Sequence, residues 1–77
     1  MLVLLYTYPN CKYSQVAKSF FNQYQIPYDE HNLENNPKLQ AALHREFGEI
    51  GTPLIMIGRD AFIGFNKEGI KRVLNLS

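Results

Sequence analysis

Leu2-Val3-Leu4-Leu5-Tyr6 is an unbroken apolar run, the pattern of a strand covered on both faces and therefore central in its sheet. From Lys12 to about Tyr24 the spacing changes. Tyr13, Val16, Ala17, Phe20, Phe21 and Tyr24 recur at intervals of three and four, which predicts one buried helical stripe. Pro27 breaks that pattern, and Tyr28 to Leu33 reads as a second strand whose side-chain register the pattern leaves open. Asn36-Pro37 opens a second helix, with Asn36 as cap and Pro37 in the first turn. Leu39, Leu43 and Phe47 form its stripe, and Gly48 ends it. Leu54 to Ile57 predicts a third strand. Gly58-Arg59-Asp60 turns it back into a fourth, Ala61 to Phe65, as a hairpin. A last helix starts at about Lys67 with Ile70, Val73 and Leu74 facing inward.

The resulting order, β-α-β-α-β-β-α, is that of an α/β domain. Its first two strands form a parallel unit across a helix, and an antiparallel hairpin follows. No linker, repeat or low-complexity stretch interrupts it, so residues 1–77 are expected to form a single domain and any function must sit on that one fold.

Composition sharpens this. A chain of 77 residues buries only about 60% of its unfolded surface, so it needs an economical core. The 45% hydrophobic content, with five Tyr and five Phe, supplies one without disulfides, and a lone cysteine cannot form an internal one. A reducing, cytoplasmic setting is therefore expected. The Leu2–Leu5 run is too short for a signal or membrane-spanning segment. Eight basic and seven acidic residues give a net charge of +1, and the basic residues are scattered, so nucleic acid is not an expected partner. His31 and His44 lie apart from each other and from any second thiol, so no metal site is expected.

The chemistry concentrates at Cys11, in Tyr6-Thr7-Tyr8-Pro9-Asn10-Cys11-Lys12-Tyr13-Ser14, where a strand ends and a helix begins. A free cysteine is ordinarily a small buried hydrophobe. Pro9-Asn10 before it and Lys12 after it argue for a surface turn instead. A helix N-terminus offers unpaired N–H groups and the positive end of the helix dipole, so a thiol there loses its proton more readily, and Lys12 adds positive charge. Ser14 falls on the same face within the first turn and can donate a hydroxyl hydrogen bond to the thiolate. The site is a C-x-x-C redox motif with its second sulfur replaced by oxygen.

Further motifs lie at fixed separations downstream: Ala17-Lys18 in the first helix, Gly51-Thr52-Pro53 before the third strand, and Ile63-Gly64-Phe65-Asn66 after the fourth. With them the chain resembles the glutaredoxin family from Leu2 to Leu74, and the resemblance implies the thioredoxin fold, a four-stranded mixed sheet flanked by helices. It implies a cis proline at Thr52-Pro53 opposite Cys11, with the Thr52 backbone free to pair with a cysteinyl peptide or glutathione. An ordinary strand-initiating proline is the alternative. Gly64, Phe65 and Asn66 would present backbone N–H groups to a glutathione carboxylate, with Asn66 as a plain helix cap the competing account. Tyr13 would line the groove, or else belong to the core.

Departures from the family pattern matter. Tyr8 and Ile50 stand where many glutaredoxins carry cations that hold glutathione's terminal carboxylate; Glu49 adds negative charge, partly offset by Lys12. Phe65, where glycine is usual in glutathione users, looks like the redoxins that serve ribonucleotide reductase and take electrons from thioredoxin reductase. The resemblance therefore implies a thiol–disulfide oxidoreductase, a monomer with no covalently bound cofactor. Its electron donor would be glutathione, as co-substrate, or thioredoxin reductase, and its substrate a disulfide-containing protein or a glutathione mixed disulfide. Ser14 cannot resolve a mixed disulfide. The chain either runs a monothiol cycle or carries serine where a resolving cysteine would make Cys-Lys-Tyr-Cys. Two other functions stay open: iron–sulfur cluster transfer by a glutathione-assisted dimer, whose family signatures Cys-Gly-Phe-Ser and Trp-Pro are absent here, and a redox-silent interaction module.

Overall fold

Strand β1 (Val3–Thr7) occupies an inner position of a four-stranded sheet ordered β2-β1-β3-β4, as its continuous apolar run predicts. The structure is a computed structural model that describes residues 2–48 and 51–76. Helix α1 (Lys12–Gln23) carries the chain across to β2 (Asp29–Asn32), which pairs parallel to β1 with Leu5 opposite Glu30. After α2 (Pro37–Phe47), β3 (Leu54–Ile57) pairs antiparallel to β1 and β4 (Asp60–Ile63) antiparallel to β3; α3 (Lys67–Val73) closes the chain.

Alternation along the two inner strands divides the interior into two cores. Val3, Leu5, Ile55 and Ile57 face α1 and α3, where Ala17, Phe20, Phe21 and Ile70 complete the larger core. Tyr6 and Leu54 point the other way and meet Leu33 and the Leu39, Leu43 and Phe47 stripe of α2. The helices thus lie on both sides of the sheet. At about 25 cal/mol per Å² of apolar surface, each fully buried side chain contributes on the order of 1.5–3 kcal/mol before chain entropy is counted.

The caps follow the sequence. The Asn36 side chain accepts from Leu39 N at 3.3 Å, Pro37 opens α2, and Gly48 ends it with φ +77°. Asn66 caps α3 by accepting from Gly69 N at 3.0 Å.

Four expectations are corrected. β1 runs one residue later than the apolar run suggests, because Thr7 stays in register opposite Asn32 while Leu2 is exposed. In α1, Tyr13 and Val16 are exposed (61% and 41%) and lie outside the stripe, which is Ser14, Ala17, Phe20 and Phe21. Tyr13 precedes Ser14 and Val16 precedes Ala17, and a step of about 100° per residue turns both off the buried face. β2 is shorter than Tyr28–Leu33: its four residues are exposed on the sheet edge, and only the flanking Leu33 is fully buried. β4 stops at Ile63, because Gly64 adopts φ +89° and turns Phe65 onto Phe20, with ring centroids 5.5 Å apart. Among the described residues no helix is long and apolar enough to cross a membrane.

Candidate functional site

Beyond Thr7 the chain turns through Tyr8-Pro9-Asn10, closed by Cys11 N–H donating to Tyr8 O at 3.1 Å. Cys11 is the N-cap of α1, in extended conformation (φ −79°, ψ 117°), and its side chain makes no capping hydrogen bond. The thiol points instead to the segment before β3. Cys11 Sγ donates to Thr52 O at 3.3 Å and accepts from Thr52 Oγ1 at 2.9 Å. The Thr52-Pro53 bond is cis, as the resemblance implies, and Pro53 is buried. Pro53 O accepts from Gly64 N at 2.8 Å, so the turns at the start of β3 and the end of β4 are held together.

Partial burial acts to raise the Cys11 thiol pKa. It is outweighed by the Ser14 and Thr52 hydroxyls and by the Ser14 and Tyr13 backbone N–H groups, which leave the thiol below its ordinary value. Ser14 is fully buried, and its hydroxyl is one of the donors that hold the Cys11 thiol down.

Several site expectations change. Lys12 is exposed. Thr52 O is not free in the reduced state, since the thiol occupies it. Gly64 N–H is likewise engaged, by Pro53 O. Asn66 serves as a helix cap. Tyr13 is a surface side chain beside Cys11, and Phe65 is half-buried against Phe20. Glu49 and Ile50 lie outside the described residues. The sequence reading missed the Thr52 side chain, treating that residue only as backbone, although a threonine before a proline facing a thiol offers a hydroxyl donor.

It also missed a polar strut under the site. Thr7 Oγ1 donates to Glu30 Oε2 at 3.1 Å, and Lys18 Nζ meets the same oxygen at 2.9 Å. Hydrogen bonding from Lys18 lowers the Glu30 pKa against an opposing burial effect, with Thr7 and the Lys18 charge assisting. The signal was Thr7 itself, a polar residue buried at the end of a central strand that needs a partner. A surface groove of about 410 Å³ runs along α1, lined by Gln15, Val16, Ser19, Phe20, Phe65 and Lys67; Cys11 is not among its walls. Among the described residues no three His, Cys, Asp or Glu side chains gather as a metal site.

The arrangement supplies an accessible nucleophile with two hydroxyl and two backbone donors and no second sulfur. The family model described as Glutaredoxin matches residues 3–63. No curated protein matches the sequence. Among solved structures, a mutant thioredoxin-like protein superposes with a TM-score of 0.86 at 21% identity, covering 97% of this chain and 96% of that one. The glutaredoxin-like NrdH-redoxin from Escherichia coli gives 0.85 at 23% identity, with 95% of each chain covered. A buckwheat glutaredoxin–glutathione complex gives 0.76 at 22%, covering 95% of this chain and 69% of that one. At these identities the structural likeness establishes the thioredoxin-like fold.

Proposed function

The chain belongs to the glutaredoxin family, and from that premise we propose that it is a thiol–disulfide oxidoreductase working through Cys11 alone. The observation that carries this reading is the Cys11–Thr52 pair, with Ser14 behind it: donors converge on one sulfur and hold its pKa down. The Cys11 thiolate attacks one sulfur of a substrate disulfide. A Cys11–substrate S–S bond forms, the substrate S–S bond breaks, and the other substrate sulfur leaves as a thiolate. The Ser14 hydroxyl is barely ionised at neutral pH and cannot displace the new bond. A second thiolate from solution attacks instead, regenerating Cys11 and carrying away the oxidised pair.

Ionisation of Cys11 also removes the donor that occupies Thr52 O, so the same event that arms the nucleophile frees that carbonyl for an extended peptide lying beside the sulfur. Glutathione is the proposed co-substrate of the monothiol cycle. Thioredoxin reductase is the competing donor, supported by Phe65 filling the space against Phe20, by the uncharged Tyr8, and by the thioredoxin-like activity profile ascribed to the similar NrdH-redoxin. The proposed substrates are protein disulfides and glutathione mixed disulfides, in a reducing compartment, without a resident metal or organic cofactor.

A small mixed disulfide of glutathione tests this directly. The expected result is one-to-one formation of a Cys11 mixed disulfide and turnover once excess glutathione is supplied, both abolished in Cys11→Ser. Turnover with thioredoxin reductase and not with glutathione would reassign the donor. No covalent adduct with any disulfide would refute the oxidoreductase reading.

A further inference from the structure

Helix α1 carries two rows of apolar side chains, and only one of them is buried. Ala17, Phe20 and Phe21 face the core, whereas Tyr13 and Val16 stay exposed. With Tyr8 these make three of the five large hydrophobic side chains exposed among the described residues, and all three lie within five positions of Cys11 in sequence. Exposed apolar side chains scattered singly need no explanation, but a gathering of them marks a contact surface.

Val16 leads into the groove of about 410 Å³, where its apolar companions are Phe20 and Phe65. Gln15, Ser19 and Gln23 follow Cys11 at steps of four, so the polar wall of the groove descends α1 in line with the residue that carries the sulfur. Gln15 joins the two, since its backbone N–H donates to Cys11 O at 3.3 Å and its Nε2 donates to Pro9 O at 3.5 Å. At about 1.5 Å per helical residue, Val16 and Phe20 stand roughly 7.5 and 13.5 Å along the axis from Cys11. An extended chain covers that span in about two to four residues. Lys67 is the charged residue of the lining, and no acidic side chain joins it there.

We propose that this groove selects the substrate: Cys11 acts on disulfides in extended protein segments that carry, about two to four residues from the reacting cysteine, an apolar side chain followed by a carboxylate. The apolar side chain fills the space between Val16, Phe20 and Phe65, and the carboxylate meets Lys67. Ser19 and Gln23 offer hydrogen bonds to the backbone of the segment. Glutathione has one residue on either side of its cysteine and does not reach the groove, so the selection applies to protein disulfides. This proposal rests on the oxidoreductase reading above, and its test separates the two.

Reduced protein is mixed with synthetic peptides whose single cysteine is held as a mixed disulfide with thionitrobenzoate. Attack on the peptide sulfur forms a Cys11–peptide S–S bond, breaks the original one and releases the aromatic thiolate, whose absorbance gives the rate. Leucine-glutamate is placed three residues before or three after the cysteine, with asparagine-glutamate and leucine-lysine as controls. Hydroxyethyl disulfide serves as a substrate too small to reach the groove. At one of the two placements leucine should react about tenfold faster than asparagine, and glutamate about threefold faster than lysine. Lys67→Glu should reverse the charge preference and keep the preference for leucine. Equal rates for all peptides at both placements, or a charge preference that survives Lys67→Glu, overturn the proposal. A concentration-dependent dimer that Val16→Asp dissolves in size-exclusion chromatography overturns it too, by giving the groove to a second copy of the chain. Reaction with hydroxyethyl disulfide but no discrimination among the peptides defeats this proposal alone; inertness toward hydroxyethyl disulfide and every peptide defeats the oxidoreductase reading as well.

Discussion

Thr52 Oγ1 lies 2.9 Å from Cys11 Sγ, across 41 residues of chain, so the nucleophile on α1 is set by a hydroxyl at the entrance to β3. A hydrogen bond to a charged group is worth about 1.5–3 kcal/mol, and this one favours the thiolate. The alkylation rate of Cys11 should rise with pH around a midpoint below the free-cysteine value of about 8.5. Thr52→Val should slow alkylation at neutral pH by about tenfold. The depressed thiol also has a stability signature. Reduced protein should gain stability as pH rises from the folded thiol pKa towards about 8.5, and lose that contribution as pH falls through the folded value. Cys11→Ser should lack this slope in urea titrations.

Ser14→Cys should convert a chain that accumulates mixed disulfides into a turnover-competent protein disulfide reductant. A thiolate within the same helical turn meets the trapped sulfur at high effective concentration, and the exchange of one side-chain atom leaves packing nearly unchanged. Insulin reduction with dithiothreitol or thioredoxin reductase as donor measures it; equal rates for the two proteins would contradict the role given to position 14.

Lys18→Met should destabilise the fold by no more than about 1 kcal/mol at neutral pH, because the Glu30 side chain is 38% exposed and solvent screens the pair. The folded Glu30 pKa is depressed, so the contribution is present above the unfolded carboxylate value of about 4.3 and is lost as pH falls through the folded one. Urea midpoints of the variant and parent should therefore converge in acid. A constant gap across pH would show that the ion pair with Glu30 does not account for the difference.

Gly69→Ala should destabilise by about 1 kcal/mol despite removing a glycine from a helix. A Cβ there would stand 2.8 Å from the Phe62 ring and 2.9 Å from Asn66 Nδ2, so it would push on the side chain that caps α3. Thermal melting of the variant, alone and with Asn66→Ala, separates the clash from the lost cap.

Reconstitution with iron and sulfide under glutathione should leave the protein colourless and monomeric, since a cluster on one thiolate per chain would need a glutathione-assisted dimer and the Cys-Gly-Phe-Ser and Trp-Pro signatures of cluster carriers are absent from the sequence. Visible absorption with size-exclusion chromatography checks it. A brown dimer would replace the oxidoreductase reading with cluster transfer.

Much of this was legible in the sequence, because α2 and β1 carry strong local signals. Asn36-Pro37 and Gly48 bracket one period of apolar residues, and Leu2–Tyr6 admits little but a central strand. Cys11 and Ser14 were legible for the same reason, being one turn apart on a helix. Other features depend on contacts distant in sequence. Nothing local announces that Thr52 Oγ1 turns to Cys11, or that Gly64 N–H is spent on Pro53. Tyr13 and Val16 misled because apolar spacing alone cannot separate the core stripe from an adjoining exposed apolar row, and the true stripe opens on a serine. β2, exposed at all four positions, has almost no hydrophobic pattern to read.

The N-cap of α1 carries one more consequence. That position normally belongs to Ser, Thr, Asp or Asn, whose side chains close the first turn and add about 0.5–2 kcal/mol. Here it holds a thiol whose side chain is turned away to Thr52. Replacing Cys11 with Asp should thus supply the missing cap while removing the thiol, giving a chain that outlasts its parent in denaturant.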